Sequence, residues 1–139
     1  GTDIRRALEV LRRVVTKRAV LFLVSDFQDR GYERTLRVLA KKHDVIAISV
    51  SDPREAALPE VGLVAAEDPE TGAAVLVDAG SARVRHAYAA RAASLRQATV
   101  AALKSAGVEL LDLSTGEPYD LPLVRFFRER ARRVARGGG

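Results

Sequence analysis

Carboxylates and hydroxyls recur in this chain directly after apolar runs, and any chemistry would gather there. Residues 19–24 read AVLFLV and lead into Ser25, Asp26 and, shortly after, Asp29. Residues 45–50 (VIAISV) lead into Ser51 and Asp52, and residues 108–113 (VELLDL) lead into Ser114 and Thr115. Oxygen side chains of this kind suit a hard cation such as Mg2+, which takes one or two carboxylates and keeps several waters. Thr2, Asp26, Asp29 and Asp52 are the candidate ligands, with Ser25, Ser114 and Thr115 along the same rim. The same residue types are also common turn and N-cap residues after strands, which accounts for any one of them taken singly.

Other chemistries lack their residues. The chain has no G-x-S-x-G elbow, no Gly-rich phosphate loop, no G-x-G-x-x-G and no H-E-x-x-H. Ser25 has no nearby histidine to activate it. His43 precedes the second apolar run, at the opposite end of that strand from Asp52, and His86 lies among arginines on a helix. With no cysteine, disulfide frameworks and thiolate metal sites are excluded. The expectation is a protein that is not an enzyme.

The three apolar runs do not alternate, as expected of strands buried on both faces in a helix-covered parallel sheet. Ligands of open parallel sheets lie outside the carboxyl ends of the strands, which is where Asp26 falls. Helices are predicted over residues 4–15, 33–42, 82–106 and 121–135. Thr2 or Asp3 would cap the first, Gly107 would end the third, and Pro122 sits in the first turn of the last. Their inward faces are Ile4, Ala7, Leu8, Leu11, Val14 and Val15; Leu36, Leu39 and Ala40; Val84, Tyr88, Leu95, Ala102 and Leu103; and Leu123, Phe126, Phe127, Ala131 and Val134. Residues 61–67 and 73–78 flank Asp68-Pro69-Glu70-Thr71-Gly72, a hairpin signal. The hairpin is expected as an appended flap outside the central sheet. Residues 1–136 read as one α/β domain and residues 137–139 as a disordered tail.

A net charge of +5 and a pI of about 10.1 raise nucleic acid as a partner. The arginines, however, are spread over several helices opposite their apolar faces. Nucleic-acid binding through residues 125–136 (RFFRERARRVAR) is therefore the alternative reading, with Phe126 and Phe127 assigned to core. No apolar run is long enough to span a bilayer, and the expected location is cytoplasmic unless other parts of the full-length protein reach a membrane. The chain has no Met, even at position 1, and reads as a fragment of something longer.

Several segments carry a resemblance. Gly1-Thr2-Asp3-Ile4, followed by Ala7-Leu8, resembles the threonine loop and helix of von Willebrand factor A-type domains. Residues 20–26 resemble the later strand of that fold, which carries its metal-site aspartate. The match is closest to a bacterial branch, the domain-of-unknown-function family numbered fifty-eight. It rests on Leu23-Val24-Ser25-Asp26-Phe27, His43-Asp44-Val45-Ile46-Ala47, Asp52-Pro53-Arg54-Glu55, Leu58-Pro59, Val61-Gly62-Leu63, Asp68-Pro69-Glu70-Thr71-Gly72 and Ser114-Thr115-Gly116-Glu117-Pro118-Tyr119.

The resemblance implies a three-layer Rossmann-like parallel sheet with helices on both faces. Here it would be a three-stranded C-terminal half with an added hairpin. It also implies a metal-ion-dependent adhesion site for protein binding, with Thr2 in the second ligand loop and Asp26 in the third. The first loop, Asp-x-Ser-x-Ser, is found nowhere in the chain, so the site is incomplete. Mg2+ is then expected in the full-length domain and not in this fragment. Members of the family often accompany MoxR-type AAA+ ATPases, which implies such a partner. The strand from Ala19 to Val24 would lack a neighbour, and a homodimer through that edge is expected.

Overall fold

The structure, a computed structural model, describes residues 3–67 and 71–137. In chain order the elements are α1 (Ile4–Val14), β1 (Val20–Ser25), α2 (Glu33–Lys42), β2 (Asp44–Ser51), α3 (Pro53–Ala56), β3 (Leu63–Glu67), β4 (Ala74–Asp78), α4 (Ala82–Ser105), β5 (Glu109–Ser114) and α5 (Asp120–Gly137). They divide into two compact units, residues 1–51 with 99–139, and residues 52–98.

In the first unit, β1, β2 and β5 form a parallel sheet in the order β1-β2-β5. Val20 pairs with Asp44 and Ser25 with Ser49, while Ile46 pairs with Glu109 and Ser51 with Ser114. Successive residues of β2 point to opposite faces. Val45 and Ala47 enter a core with Ile4, Leu8, Phe27, Tyr32, Leu36, Leu39, Leu103, Ala106 and Val108. Ile46 and Ile48 join Leu111 on the other face, where Leu123 and Phe126 of α5 pack. Helices therefore lie on both faces of a three-stranded α/β sheet, as expected.

The local causes are legible. Asp3 caps α1, its carboxylate accepting from the Arg6 N–H at 2.8 Å. Leu36 and Leu39 bury the inner face of α2, whose ten residues make the crossover between parallel β1 and β2. Gly107 adopts φ +75° just beyond α4 and turns the chain into β5, the left-handed cap that glycine provides without strain.

Seven inward assignments differ from expectation. Ala7 and Val14 of α1, Tyr88 and Leu95 of α4, and Phe127, Ala131 and Val134 of α5 are exposed. Each shares a helical repeat with buried neighbours, but α1 meets the core only through Ile4, Leu8 and Leu11. In α4, only Leu103 is fully buried. The larger departure is β1. It was expected to be covered on both faces, yet Val20, Phe22 and Val24 are 54%, 53% and 60% exposed. Leu21 and Leu23 pack on the first core, whereas on the other face of β1 the Phe127 ring of α5 lies against Phe22, at 6.0 Å between ring centres.

In the second unit, β3 and β4 pair antiparallel as a separate two-stranded sheet, from Leu63 opposite Asp78 to Glu67 opposite Ala74. The hairpin stands outside the parallel sheet, as anticipated. Gly72 has φ +70°; Asp68, Pro69 and Glu70 of the predicted turn lie outside the described residues. The sequence reading did not foresee α3, a single turn started by Asp52 and Pro53. At the other terminus α5 runs to Gly137, and residues 138–139 of the predicted tail lie outside the described residues.

Leu39 is 1% exposed among α2, β2 and α4 side chains, so truncation there leaves a cavity. Leu39→Ala is expected to lower the unfolding free energy by about 2–5 kcal/mol in a denaturant titration, without loss of the native circular dichroism spectrum in water. A loss below about 1 kcal/mol would show that this core collapses around the gap.

Candidate functional site

The carboxyl ends of the parallel strands bring Ser25, Ser51 and Ser114 to one rim, with Ser51 and Ser114 directly paired. The Thr115 N–H donates to the Ser51 carbonyl at 3.0 Å and extends the ladder by one step. Ser114 and Thr115 thus continue β5 into a turn, where the Glu117 N–H donates to the Ser114 carbonyl.

Asp26 follows β1 with an exposed side chain. Its Oδ1 accepts from the Gln28 N–H at 3.2 Å and from the Ser25 hydroxyl at 3.4 Å, while the Ser25 oxygen accepts from the Phe27 N–H at 3.1 Å. These bonds hold Phe27 at φ +56°, a left-handed conformation that costs a non-glycine residue about 1–2 kcal/mol. Phe27 is nevertheless buried, with its ring 6.1 Å from that of Tyr32. Its core packing offsets the backbone cost and fixes the loop that presents Asp26. Burial pushes the Tyr32 hydroxyl above its ordinary pKa, and the nearby Glu33 and Asp29 carboxylates add to the shift.

Asp29 has a structural task. Its Oδ2 accepts from the Ile4 N–H at 2.8 Å, and its Oδ1 accepts from the Arg30 N–H at 2.8 Å. It therefore satisfies one of the orphan donors at the start of α1 from a position 25 residues away. Asp52, in the second unit, starts α3 and accepts from the Arg54 N–H at 2.9 Å and from the Arg54 guanidinium at 3.0 Å.

Of these three candidate carboxylates, only Asp26 is not capping a helix. Thr2, the proposed hydroxyl partner, lies outside the described residues. Among the described residues no cluster of three or more His, Cys, Asp or Glu could hold a metal ion. The donors here do not make a Mg2+ site by themselves, because one exposed carboxylate falls short of a coordination shell.

Sequence reasoning missed features at the opposite end of the sheet. Arg130 of α5 binds Asp44 at the start of β2 through Nη2 and Glu109 at the start of β5 through Nη1. Arg133 adds a second donor to Glu109 at 2.6 Å. The carboxylates hold the Arg130 guanidinium above its usual pKa, most strongly through the hydrogen bond to Asp44. One signal was available: Arg130 lies four residues after Phe126, on the face assigned to the core. His43 is also buried, at the end of α2, and neither ring nitrogen has a hydrogen-bond partner among the described residues.

A shallow open depression of about 680 Å3 beside α5 is lined by Arg132, Arg133 and Arg136 together with Glu109 and Glu129. The acids divide its charge. Arg125, Arg128, Arg132 and Arg136 are exposed along α5. No helix is long and apolar enough to cross a membrane among the described residues.

The Arg54 hydrogen bonds, more than its charge at a distance, hold the Asp52 carboxyl below its ordinary pKa of 3.8. A depressed carboxyl stabilises the fold above the unfolded pKa, and this is lost as pH falls through the lower folded value. In Arg54→Ala the Asp52 midpoint, followed by carboxyl carbon NMR, is expected to rise toward the unperturbed value. An unchanged midpoint would locate the cause elsewhere.

The family model described as "Protein of unknown function DUF58" matches residues 1–98. Uncharacterized protein MAV169 of Mycobacterium avium is 33% identical over 138 residues, covering 97% of this chain and 80% of that protein. Uncharacterized protein Mb1516 of Mycobacterium bovis and uncharacterized protein Rv1480 of Mycobacterium tuberculosis are each 34% identical over 136 residues. The chain spans 43% of the length of those two relatives. No solved structure matches it. With the family model covering well over half of its residues, the chain belongs to the DUF58 family.

Proposed function

We propose that this domain is a non-enzymatic protein-interaction module whose contact surface is the uncovered side of β1 together with α5. The observation that carries the reading is the exposure of Val20, Phe22 and Val24 in one strand. Contiguous exposed apolar surface of this kind marks interaction sites in soluble proteins. Leu121, Val124 and Val134 of α5 are exposed as well, at 68%, 46% and 66%.

The von Willebrand A-type resemblance supports extending this reading to the complete protein. There a MoxR-type AAA+ ATPase is the partner class, and Asp26 would be one carboxylate of a Mg2+-dependent contact whose other ligands come from elsewhere. The lack of cysteine suits a reducing, cytoplasmic setting.

The exposed arginines of α5 support nucleic-acid binding less well. Arg130 and Arg133 are engaged with carboxylates, and Glu129 interrupts the basic run. Phe126 packs in the core, and Phe127 lies against Phe22.

The complete protein, immobilised and titrated with a purified MoxR-type ATPase in Mg2+, tests the reading. Val24→Glu is expected to weaken binding by about tenfold or more, which corresponds to about 1.4 kcal/mol. Binding that ignores Val24→Glu but falls steeply with salt on a DNA or RNA oligonucleotide, and needs Arg132 and Arg136, would replace it with the nucleic-acid reading.

A further inference from the structure

We infer that the amino end of the parallel sheet is a docking face for an anionic lipid bilayer. This goes beyond the protein contact proposed for β1 and α5. Topology and charge at that end lead to it.

The three strands start close to one level. Val20 lies opposite Asp44, and Glu109 lies opposite Ile46. Each helix that leads into a strand therefore ends at this rim. The last turns of α1 and α2 carry Arg12, Arg13, Lys41 and Lys42, and Lys104 lies in the last turn of α4. Lys17 and Arg18 lead into β1, and all seven side chains are exposed. Helix α5 also finishes here, since Arg130 meets Asp44 and Glu109 at the starts of β2 and β5.

Residues 12–19, 41–44, 104–109 and 129–136 make up this end. They hold eleven Lys and Arg against three carboxylates, a formal charge of +8. The whole chain carries +5, so everything outside these segments comes to −3. The basic balance of the chain thus belongs to one end of it. Four helix carboxyl termini supply about half a negative charge each, which offsets only about two of the eight. Asp44 and Glu109 are already bonded to Arg130 and Arg133.

The rest of a longer protein does not remove this charge. The chain spans 43% of two of its relatives, but a strand added beside β1 would widen this end without capping it. Lys and Arg are almost never fully buried unless paired, so whatever covers the rim brings negative charge.

Two features favour a bilayer among anionic partners. The cations come from helices on both faces of the sheet, which makes a two-dimensional array at one level. A membrane surface meets such an array all at once, whereas a nucleic-acid duplex touches it along one line. These segments also contain no Phe, Tyr or Trp, so nothing in them stacks on bases. Each Lys or Arg near a phosphatidylserine surface strengthens attachment roughly fivefold, so several acting together hold a domain there.

Co-sedimentation of the 139-residue chain with vesicles tests this, using phosphatidylcholine alone against equal parts of phosphatidylcholine and phosphatidylserine. Binding is expected only to the anionic vesicles. It should disappear as NaCl rises from about 0.1 M to about 1 M, which shortens the Debye length from about 10 Å to about 3 Å. Lys41→Glu combined with Lys42→Glu should weaken it at least about tenfold, as should Lys17→Glu combined with Lys104→Glu. Arg5 and Arg6 are exposed at the other end of α1. Changing both to Glu alters the net charge equally and should leave binding within about twofold. Circular dichroism checks that each variant is folded.

No binding to the anionic vesicles overturns the proposal. So does equal weakening by the Arg5 and Arg6 changes, or binding that persists on phosphatidylcholine alone. A duplex oligonucleotide bound with the same dependence on Lys41 and Lys42, where vesicles are not, would overturn it and give this end to nucleic acid.

Discussion

The structure depends on β2 being covered on both faces and bonded along both edges. Val45 and Ala47 enter one core and Ile46 and Ile48 the other, so this strand contributes buried residues to both. Its register with β1 and β5 sets which residues of those strands face α1 and α2 and which face α5. A slip of one residue would exchange the two faces and turn Ser49, which is 1% exposed, toward the opposite side. Burying β2 is also what makes the sheet parallel, because both of its neighbours are reached through helical crossovers that cover it.

That dependence explains which parts of the fold could be read from the residues. The β2 run, the boundaries of α2 and the separation of the β3–β4 hairpin all follow from local pattern, and the structure agrees with each. The run in β1 looks like that of β2, yet only one of its faces is covered. An apolar run states that a strand can be buried twice; what covers it depends on how far the neighbouring helices extend. Helix α5 packs Leu123 and Phe126 on β2 and β5 and sets Phe127 against Phe22 of β1. Val134 was misassigned for the same reason. It keeps the helical repeat of Phe127 but is 66% exposed.

The candidate site was legible as a place and less so as a chemistry. Ser25, Ser51 and Ser114 do meet at one rim because parallel strands end together. The carboxylates divide by what lies next to them. Asp29 faces the start of α1, and Asp52 starts α3, so both meet unsatisfied backbone donors and act on those. No local pattern distinguishes a carboxylate that caps a distant helix from one that binds a ligand, since Ile4 and Asp29 are 25 residues apart. Asp26 escapes this fate because its loop is held by Phe27. A buried aromatic in a left-handed backbone conformation stabilises a turn that the sequence would otherwise favour giving to glycine.

The two ends of the sheet are thus built by different physics. At the amino ends of β2 and β5, Arg130 bridges Asp44 and Glu109, with its own side chain 15% exposed. A guanidinium can bond two carboxylates at once in a fixed plane, and a lysine there could not keep both in the same geometry. This contact fixes the position of α5 where apolar packing is thin. The ion pairs thus tie α5 to the amino ends of β2 and β5, while Val20, Phe22 and Val24 of β1 stay exposed.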